Sequence, residues 1–121
     1  MTKIRSFRDL DIWNKGMEIA RRIYRFTSGL PREEQYGLIS QMRRAAVSLP
    51  SNVAEGFRRR NDKEFRQFLY ISLGSAAELE TQIELCIELH SMGADEAGEL
   101  LKALDHFQAM VMNLIKTLKV S

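Results

Sequence analysis

The 121-residue chain contains one cysteine, Cys86, so it cannot form an internal disulfide, and the disulfide-held class of small secreted domains is excluded. It also lacks any apolar stretch near the roughly 18 residues that a transmembrane helix needs. Charges interrupt the N-terminal segment every two or three residues, unlike the apolar core of a signal peptide. We therefore expect a cytoplasmic protein that does not enter a membrane.

Proline and glycine are scarce, with two and seven residues respectively. Because these residues most often interrupt regular structure, their scarcity favours long helices. The length suits one domain over residues 1–121, and it is sufficient to bury a core without disulfides or metals.

Apolar residues recur at steps of three and four in four segments, and no segment shows the alternation of a strand. Gly29 and Pro31 separate the first two segments, and Gly93 precedes the last. We predict an all-α, antiparallel up-down four-helix bundle. The predicted helices cover about residues 8–28, 32–60, 62–91 and 95–118.

Pro50 lies inside the second predicted helix, where it removes a backbone donor and crowds the preceding turn. The apolar rhythm of Ala46, Leu49 and Val53 nevertheless continues through it without a change of phase. This favours one helix kinked at the proline, with a break at Leu49 as the alternative.

The first predicted helix carries two apolar stripes. One stripe is assigned to the core and contains Leu10, Trp13, Met17, Ala20 and Tyr24. The other lies some 120° away, so that the two cover roughly 200° of the helix, about twice what one monomeric core requires. We predict that the second stripe is a homo-oligomer interface, formed by Ile12, Ile19 and Phe26. The alternative is that neighbouring helices cover it.

Catalytic and metal-binding patterns are missing from the sequence. Neither His90 nor His106 follows a glutamate by three residues, as a di-iron bundle requires, and two histidines with one cysteine make a poor zinc set. No glycine-rich phosphate loop or serine elbow is present. We expect no enzyme activity, metal, cofactor or small-molecule substrate. A site around Arg44, Asn52 and Glu55 is the weakest alternative.

Polar residues within the apolar pattern predict a structural network. Glu78 lies at the edge of an apolar face, where an unpaired carboxylate would be costly. We expect Arg43 or Arg44 to pair with it, across the bundle or across a subunit boundary, and Asn52 to satisfy backbone groups near Pro50. A structural role is favoured over a small-molecule site. The predicted network comprises Arg43, Arg44, Ser48, Asn52, Glu55 and Glu78.

The net charge of +2 conceals two unlike halves. Residues 1–60 hold thirteen Lys and Arg against six Asp and Glu, a balance of +7, whereas residues 61–121 hold five against ten, a balance of −5. Arginine suits phosphate because its fork is planar and always charged, although a basic run is often only a solvated face. The candidate nucleic-acid-binding residues are Arg21, Arg22, Arg25, Arg58, Arg59, Arg60, Lys63 and Arg66.

The motifs RRAAVSLPSNVAEG and GSAAELET, together with DLDIWNKGMEIARRIYRFT, resemble a bacterial family of four-helix bundles encoded in intervening sequences of 23S ribosomal RNA genes. The resemblance covers about residues 7–92, and Gly16 stands where the family more often has alanine. It implies a ring-like homopentamer. It also implies a distant relation to accessory proteins of diversity-generating retroelements, which bind nucleic acid and a reverse transcriptase.

Two functions follow from the charges and the resemblance together. In the first, the protein is a noncatalytic oligomer that binds nucleic acid through a repeated basic surface. The nucleic acid is RNA, which includes ribosomal RNA, or DNA. The second is a scaffold or accessory subunit for a polymerase-type partner, with an incidental basic surface.

Overall fold

The computed structural model describes residues 3–119, which form four helices and no strand. Each helix packs against two others in cyclic order, α1 on α2, α2 on α3, α3 on α4 and α4 on α1. This is the arrangement of an up-down bundle and confirms the all-α prediction. No helix in this range is long and apolar enough to cross a bilayer. The helices are α1 (Asp11–Thr27), α2 (Leu38–Arg58), α3 (Asp62–His90) and α4 (Ala94–Thr117).

Two helices begin later than predicted, while the other boundaries agree within two residues. Before α1, the segment Phe7–Asp9 forms a separate 3₁₀ turn, because the Ser6 hydroxyl accepts from the Arg8 amide and the Asp9 carboxylate accepts from the Ser6 amide. Before α2, Arg32–Glu34 forms a second short 3₁₀ turn. Short 3₁₀ turns thus include residues that the apolar pattern places in α1 and α2, and both helices begin later as a result.

Helix α2 continues through Pro50 as one helix, as predicted, so the alternative of a break at Leu49 does not occur, whereas the kink stays a prediction. Side chains supply donors around the proline: Asn52 Nδ2 donates to the Ser48 carbonyl at 2.9 Å, and Ser72 Oγ donates to the Leu49 carbonyl at 3.0 Å. The carbonyl that lacks a helical donor at Pro50 is that of Ala46, so the role predicted for Asn52 stays a prediction.

Pro50 is also the place where α1 and α2 approach closely. A Cβ on Gly16 would lie 3.1 Å from the Pro50 nitrogen, tighter than ordinary van der Waals contact. A glycine at this position therefore lets the two backbones meet, at the cost of some helix propensity in α1.

The stripe assigned to an oligomer interface lies in the core of the single chain. Ile12, Ile19 and Phe26 are 5%, 0% and 2% exposed. That prediction is wrong, and the alternative, in which the other elements of the bundle cover the stripe, is correct. The stripe assigned to the core is instead only partly buried, and Tyr24 is 44% exposed.

Gly56 provides a test of the packing of α2 on α3. A Cβ there would lie 2.7 Å from Phe68 Cβ and 2.9 Å from Phe65 Cδ1. Gly56→Ala is therefore expected to lower the free energy of unfolding by about 1–3 kcal/mol, even though alanine is the better helix former. Urea unfolding followed by helical circular dichroism measures the change.

Gly74 is the matched control within α3. It is exposed, and nothing lies within 4 Å of the position that its Cβ would take. Gly74→Ala should raise the free energy of unfolding by up to about 1 kcal/mol through helix propensity alone. Stabilisation by both substitutions would show that α2 and α3 do not approach so closely at Gly56.

Candidate nucleic-acid interface

The antiparallel topology gathers positive charge at one end of the bundle. There α1 and α3 begin while α2 and α4 end, and the Lys119 amide donates to Asp62 Oδ2 at 2.9 Å. The opposite end carries acidic residues near the end of α3 and the start of α4. The two halves of the sequence form the helix pairs α1–α2 and α3–α4, so their charge difference becomes a difference between two sides of the bundle, and the basic end combines the N-terminal arginines with those that follow α2.

Phe7 organises the arginines at the basic end. The guanidinium carbons of Arg8 and Arg58 lie 4.5 Å and 5.3 Å from the centroid of its ring. Arg5 and Arg60 line a cleft next to the same ring. Because guanidinium groups stack on aromatic faces, Phe7 holds Arg8 and Arg58 in place. We call Arg5, Arg8, Arg58 and Arg60 the basic cluster.

The guanidinium groups of the basic cluster form no ion pair in the described part of the chain, although Asp9 lies close to Arg5. Backbone hydrogen bonds from Arg5 and Ser6, with the charge of Arg5, lower the pKa of the Asp9 carboxyl. Within residues 3–119, none of its arginines has a carboxylate oxygen within 4.0 Å of a guanidinium nitrogen. Arg59, which lies between two cluster members, differs because it pairs with Glu55 at 3.4 Å and lies over the Phe68 ring. The structure therefore separates Arg59 from its neighbours in the run.

Arg60 adopts a left-handed backbone conformation, with a φ of 56°, in the turn between α2 and α3. An L residue with a bulky side chain pays a cost of about 1–2 kcal/mol there, which glycine would avoid. Ser91 has the same conformation after α3, and helices commonly end with a left-handed residue, so Arg60 terminates α2 in this way while keeping its charge.

The other predicted binding residues are divided among three places. Arg21 and Arg25 line a groove beside the basic cluster, whereas Arg22 lies in a different cleft with residues of α4 and contacts Glu18 at 3.8 Å. Lys63 is exposed in the first turn of α3, and Arg66 lies over the Tyr70 ring. Arg22 therefore lies apart from the other predicted binding residues, and its contact with Glu18 is the i, i+4 pair that the spacing of the two residues favours.

The groove lies between the first 3₁₀ turn, α1 and α2 and has a volume of about 730 Å³. Its floor is apolar and contains Met17, Ala20, Val47, Pro50 and Ala54, while Phe7, Trp13 and Tyr24 supply aromatic rings. The rim is formed by Arg8, Arg21 and Arg25. Phe7 and Arg8 thus join the groove to the basic cluster.

The N-terminal cations Lys3, Arg5 and Arg8 form a visible cluster in the sequence but are outside the predicted set of binding residues, and no sequence pattern singles out Phe7. Ser6 and Asp9 are three residues apart and form a capping box. This spacing in the sequence indicates that the segment before α1 is ordered. The contact between this N-terminal segment and the end of α2 joins residues that are far apart in the sequence, so no short sequence motif predicts it.

The predicted ion pair with Glu78 does not form within the chain. Glu78 is exposed, so it carries no burial cost that a partner must offset. Arg43 instead reaches α1, where its Nε donates to Thr27 Oγ1 at 2.9 Å and one Nη donates to the Tyr24 carbonyl at 3.2 Å. Arg44 is exposed and has no ion pair among residues 3–119.

A smaller polar network remains between α2 and α3. The Ser48 and Ser75 hydroxyls lie 2.8 Å apart, and Asn52 Nδ2 donates to Ser48 Oγ at 2.7 Å. Glu55 is outside it, paired with Arg59. The candidate catalytic residues Arg44, Asn52 and Glu55 therefore do not form one hydrogen-bonded group.

His90 and Cys86, two of the residues considered for metal binding, make structural contacts. His90 Nε2 lies 2.7 Å from Glu34 Oε2, and this hydrogen bond, together with the Leu38 amide, lowers the pKa of Glu34. Burial raises the pKa of the Cys86 thiol to about 11, so the thiol is protonated at neutral pH. Among residues 3–119, no three His, Cys, Asp or Glu side chains could hold a metal together.

The fold is similar to that of a solved structure. A protein of unknown function from the S23 ribosomal protein family of Bacteroides thetaiotaomicron VPI-5482 superposes with a TM-score of 0.77 at 23% identity. The match covers 88% of this chain and 99% of that chain, and at this identity it shows a shared fold. No curated protein matches the chain.

A family model identifies the chain more specifically. The model of the 23S rRNA-intervening sequence protein family matches residues 8–113, most of the chain. This match confirms the resemblance carried by the motifs RRAAVSLPSNVAEG and GSAAELET. The chain therefore belongs to the 23S rRNA-intervening sequence protein family.

Proposed function

We propose that this protein is a noncatalytic, oligomeric nucleic-acid-binding bundle of the cytoplasm, which binds RNA through the basic cluster. The observation that carries the proposal is the set of four arginines around Phe7, none with an ion pair among residues 3–119. Their charge is available to phosphate oxygens.

The geometry suits backbone contacts rather than sequence reading. Guanidinium groups bind phosphate through two parallel hydrogen bonds, and stacking on Phe7 restricts the motion of Arg8 and Arg58 before RNA arrives. Such contacts fix the position of a nucleic acid and carry no sequence information. In an oligomer the cluster would be repeated, and modest contacts would add as avidity.

Binding of labelled RNA by the native protein and by Arg58→Ala/Arg60→Gly tests this proposal. The second substitution removes the charge and relieves the left-handed strain, so a loss of binding cannot be ascribed to misfolding. We expect affinity to fall about tenfold at moderate salt, because two phosphate contacts are lost.

Arg32→Ala/Lys102→Ala is the matched control, since it removes the same charge at exposed positions outside the basic cluster. Its affinity should stay within about twofold of native, because only the overall potential changes. Equal losses in both variants, or no RNA binding by the native protein, would contradict the role of the basic cluster.

Self-assembly remains part of the proposal but moves to a different surface. Ile71, Leu85 and Leu89 are exposed and lie within about 40° of one another around α3, where they form what we call the α3 face, with the exposed Glu78 on the same side between Ile71 and Leu85. Exposed apolar strips of this kind mark interfaces between proteins. In the homopentamer that the resemblance implies, the α3 face of one subunit would contact a different surface of the next, because a ring interface joins two unlike surfaces.

The alternative function, a scaffold or accessory subunit for a polymerase-type partner, uses the same α3 face. Its exposed apolar side chains favour a protein partner over RNA. Under this alternative, RNA affinity would not respond to loss of Arg58 and Arg60.

A further inference from the structure

The groove beside the basic cluster combines positive charge with an apolar, aromatic lining, and binding of phosphate alone would need only the charge. Its rim arginines supply positive charge, but its floor is apolar and three aromatic rings line it. No acidic side chain is among the lining residues. Its volume lies in the range of pockets that bury a small organic molecule, and it is open along its length.

The aromatic rings of the groove are held in place. Trp13 lies 5.3 Å from Phe7, centroid to centroid, and Tyr24 is held from one side by the Arg43 guanidinium at 4.6 Å. Tyr24 remains 44% exposed despite this contact. Rings that are already ordered lose little entropy when another flat ring stacks on them.

Two arginines of the rim and two aromatic residues of the groove lie along the same helix, α1. Trp13 and Tyr24 are eleven residues apart, about 16 Å along the helix, and Arg21 and Arg25 lie one turn apart on the same side. Neither arginine has an ion pair among residues 3–119. At the other end of the groove, Phe7 and Arg8 connect the rim to the basic cluster.

We infer that the groove binds unpaired bases of single-stranded RNA, with the phosphates along Arg8, Arg21 and Arg25. A strand would continue from the basic cluster into the groove, its bases over Trp13, Tyr24 and the apolar floor. A duplex cannot bind in this way because its bases are stacked and paired. The inference rests on the proposed function and narrows it from RNA in general to single strands.

Trp13 provides a direct readout, because it is the only tryptophan in the chain. A labelled oligouridylate and an RNA duplex of the same length are titrated with the full-length native protein. The oligouridylate should change the Trp13 emission with the same midpoint as its label, whereas the duplex should bind more weakly and leave the emission unchanged.

Tyr24→Ala is expected to weaken oligouridylate binding roughly tenfold, the loss of one base–aromatic stack, and to leave duplex binding unchanged. Tyr36→Ala is the control, since Tyr36 is 90% exposed and lies before α2. Circular dichroism confirms that both variants keep their helices.

The possible failures are distinguishable. If the oligouridylate binds but neither Trp13 emission nor Tyr24→Ala affinity responds, the groove inference is overturned and the basic cluster remains the binding site. If no RNA binds, the proposed function fails as well. If Trp13 emission changes on dilution of the protein without RNA, a second copy occupies the groove and the inference is overturned.

Discussion

Replacing Ile19 by aspartate is expected to abolish folding, not to disturb assembly. Ile19 is fully buried on α1, in the same core as Ile12 and Phe26. An unpaired carboxylate there costs several kcal/mol, and loss of the buried aliphatic side chain adds about 2–5 kcal/mol. A domain of this size has only about 5–15 kcal/mol of stability, so the variant should be largely unfolded.

Circular dichroism and thermal unfolding measure this result directly. Arg21→Asp, two residues along the same helix at an exposed position, is the control and should melt close to the native temperature. A folded Ile19→Asp protein with native helicity and a smaller mass would instead restore the interface first predicted for Ile12, Ile19 and Phe26.

Aspartate on the α3 face should have the opposite effect, separating the subunits without unfolding them. Leu85 and Leu89 are 36% and 63% exposed, so folding of one chain buries only part of their surface. In an oligomer held by this face, Leu85→Asp/Leu89→Asp would place two carboxylates in each apolar contact, and the complex should dissociate to monomers.

Light scattering after size-exclusion chromatography gives the mass of each variant. Met112→Asp, an exposed apolar position on α4, is the control and should keep the native mass. A native protein that is already monomeric, or an oligomer unchanged by the double substitution, would rule out assembly through the α3 face.

The four helices and their order could be predicted because apolar periodicity is a local signal that is repeated over many turns. The late starts of α1 and α2 could not, since short 3₁₀ turns depend on individual side-chain caps such as Ser6 with Asp9. Helix boundaries are set by such single contacts, to which periodicity is insensitive.

The two stripes of α1 show a different limit. Periodicity locates both stripes on the helix but does not say which one faces inward. The buried stripe carries Ile12, Ile19 and Phe26, while the half-exposed one carries Trp13 and Tyr24, whose rings have an apolar body and a polar atom that suit a groove. When residue type is considered together with periodicity, the stripe of Ile12, Ile19 and Phe26 is favoured as the buried one, as observed.

The candidate site was only partly predictable for a related reason. The Arg58–Arg60 run is visible in the sequence, but the chain joins it to Arg5 and Arg8 through Phe7, across about fifty residues of sequence. The i, i+4 spacing of Glu18 and Arg22 predicts their contact, whereas the position of Glu78 on α3 does not reveal that its carboxylate is exposed and needs no partner.

The salt dependence of RNA binding by the native protein tests the role of the basic cluster most directly. Each phosphate that an arginine neutralises releases a counterion, so the four arginines of the basic cluster contribute about −3 to the slope of log affinity against log salt on a single strand, and Arg21 and Arg25 add about −1.4 where the strand enters the groove. Arg58→Ala/Arg60→Gly should make the slope less steep by about 1.4, the share of two phosphate contacts. Binding that is independent of salt, or a slope that this variant leaves unchanged, would contradict nucleic-acid binding through the basic cluster.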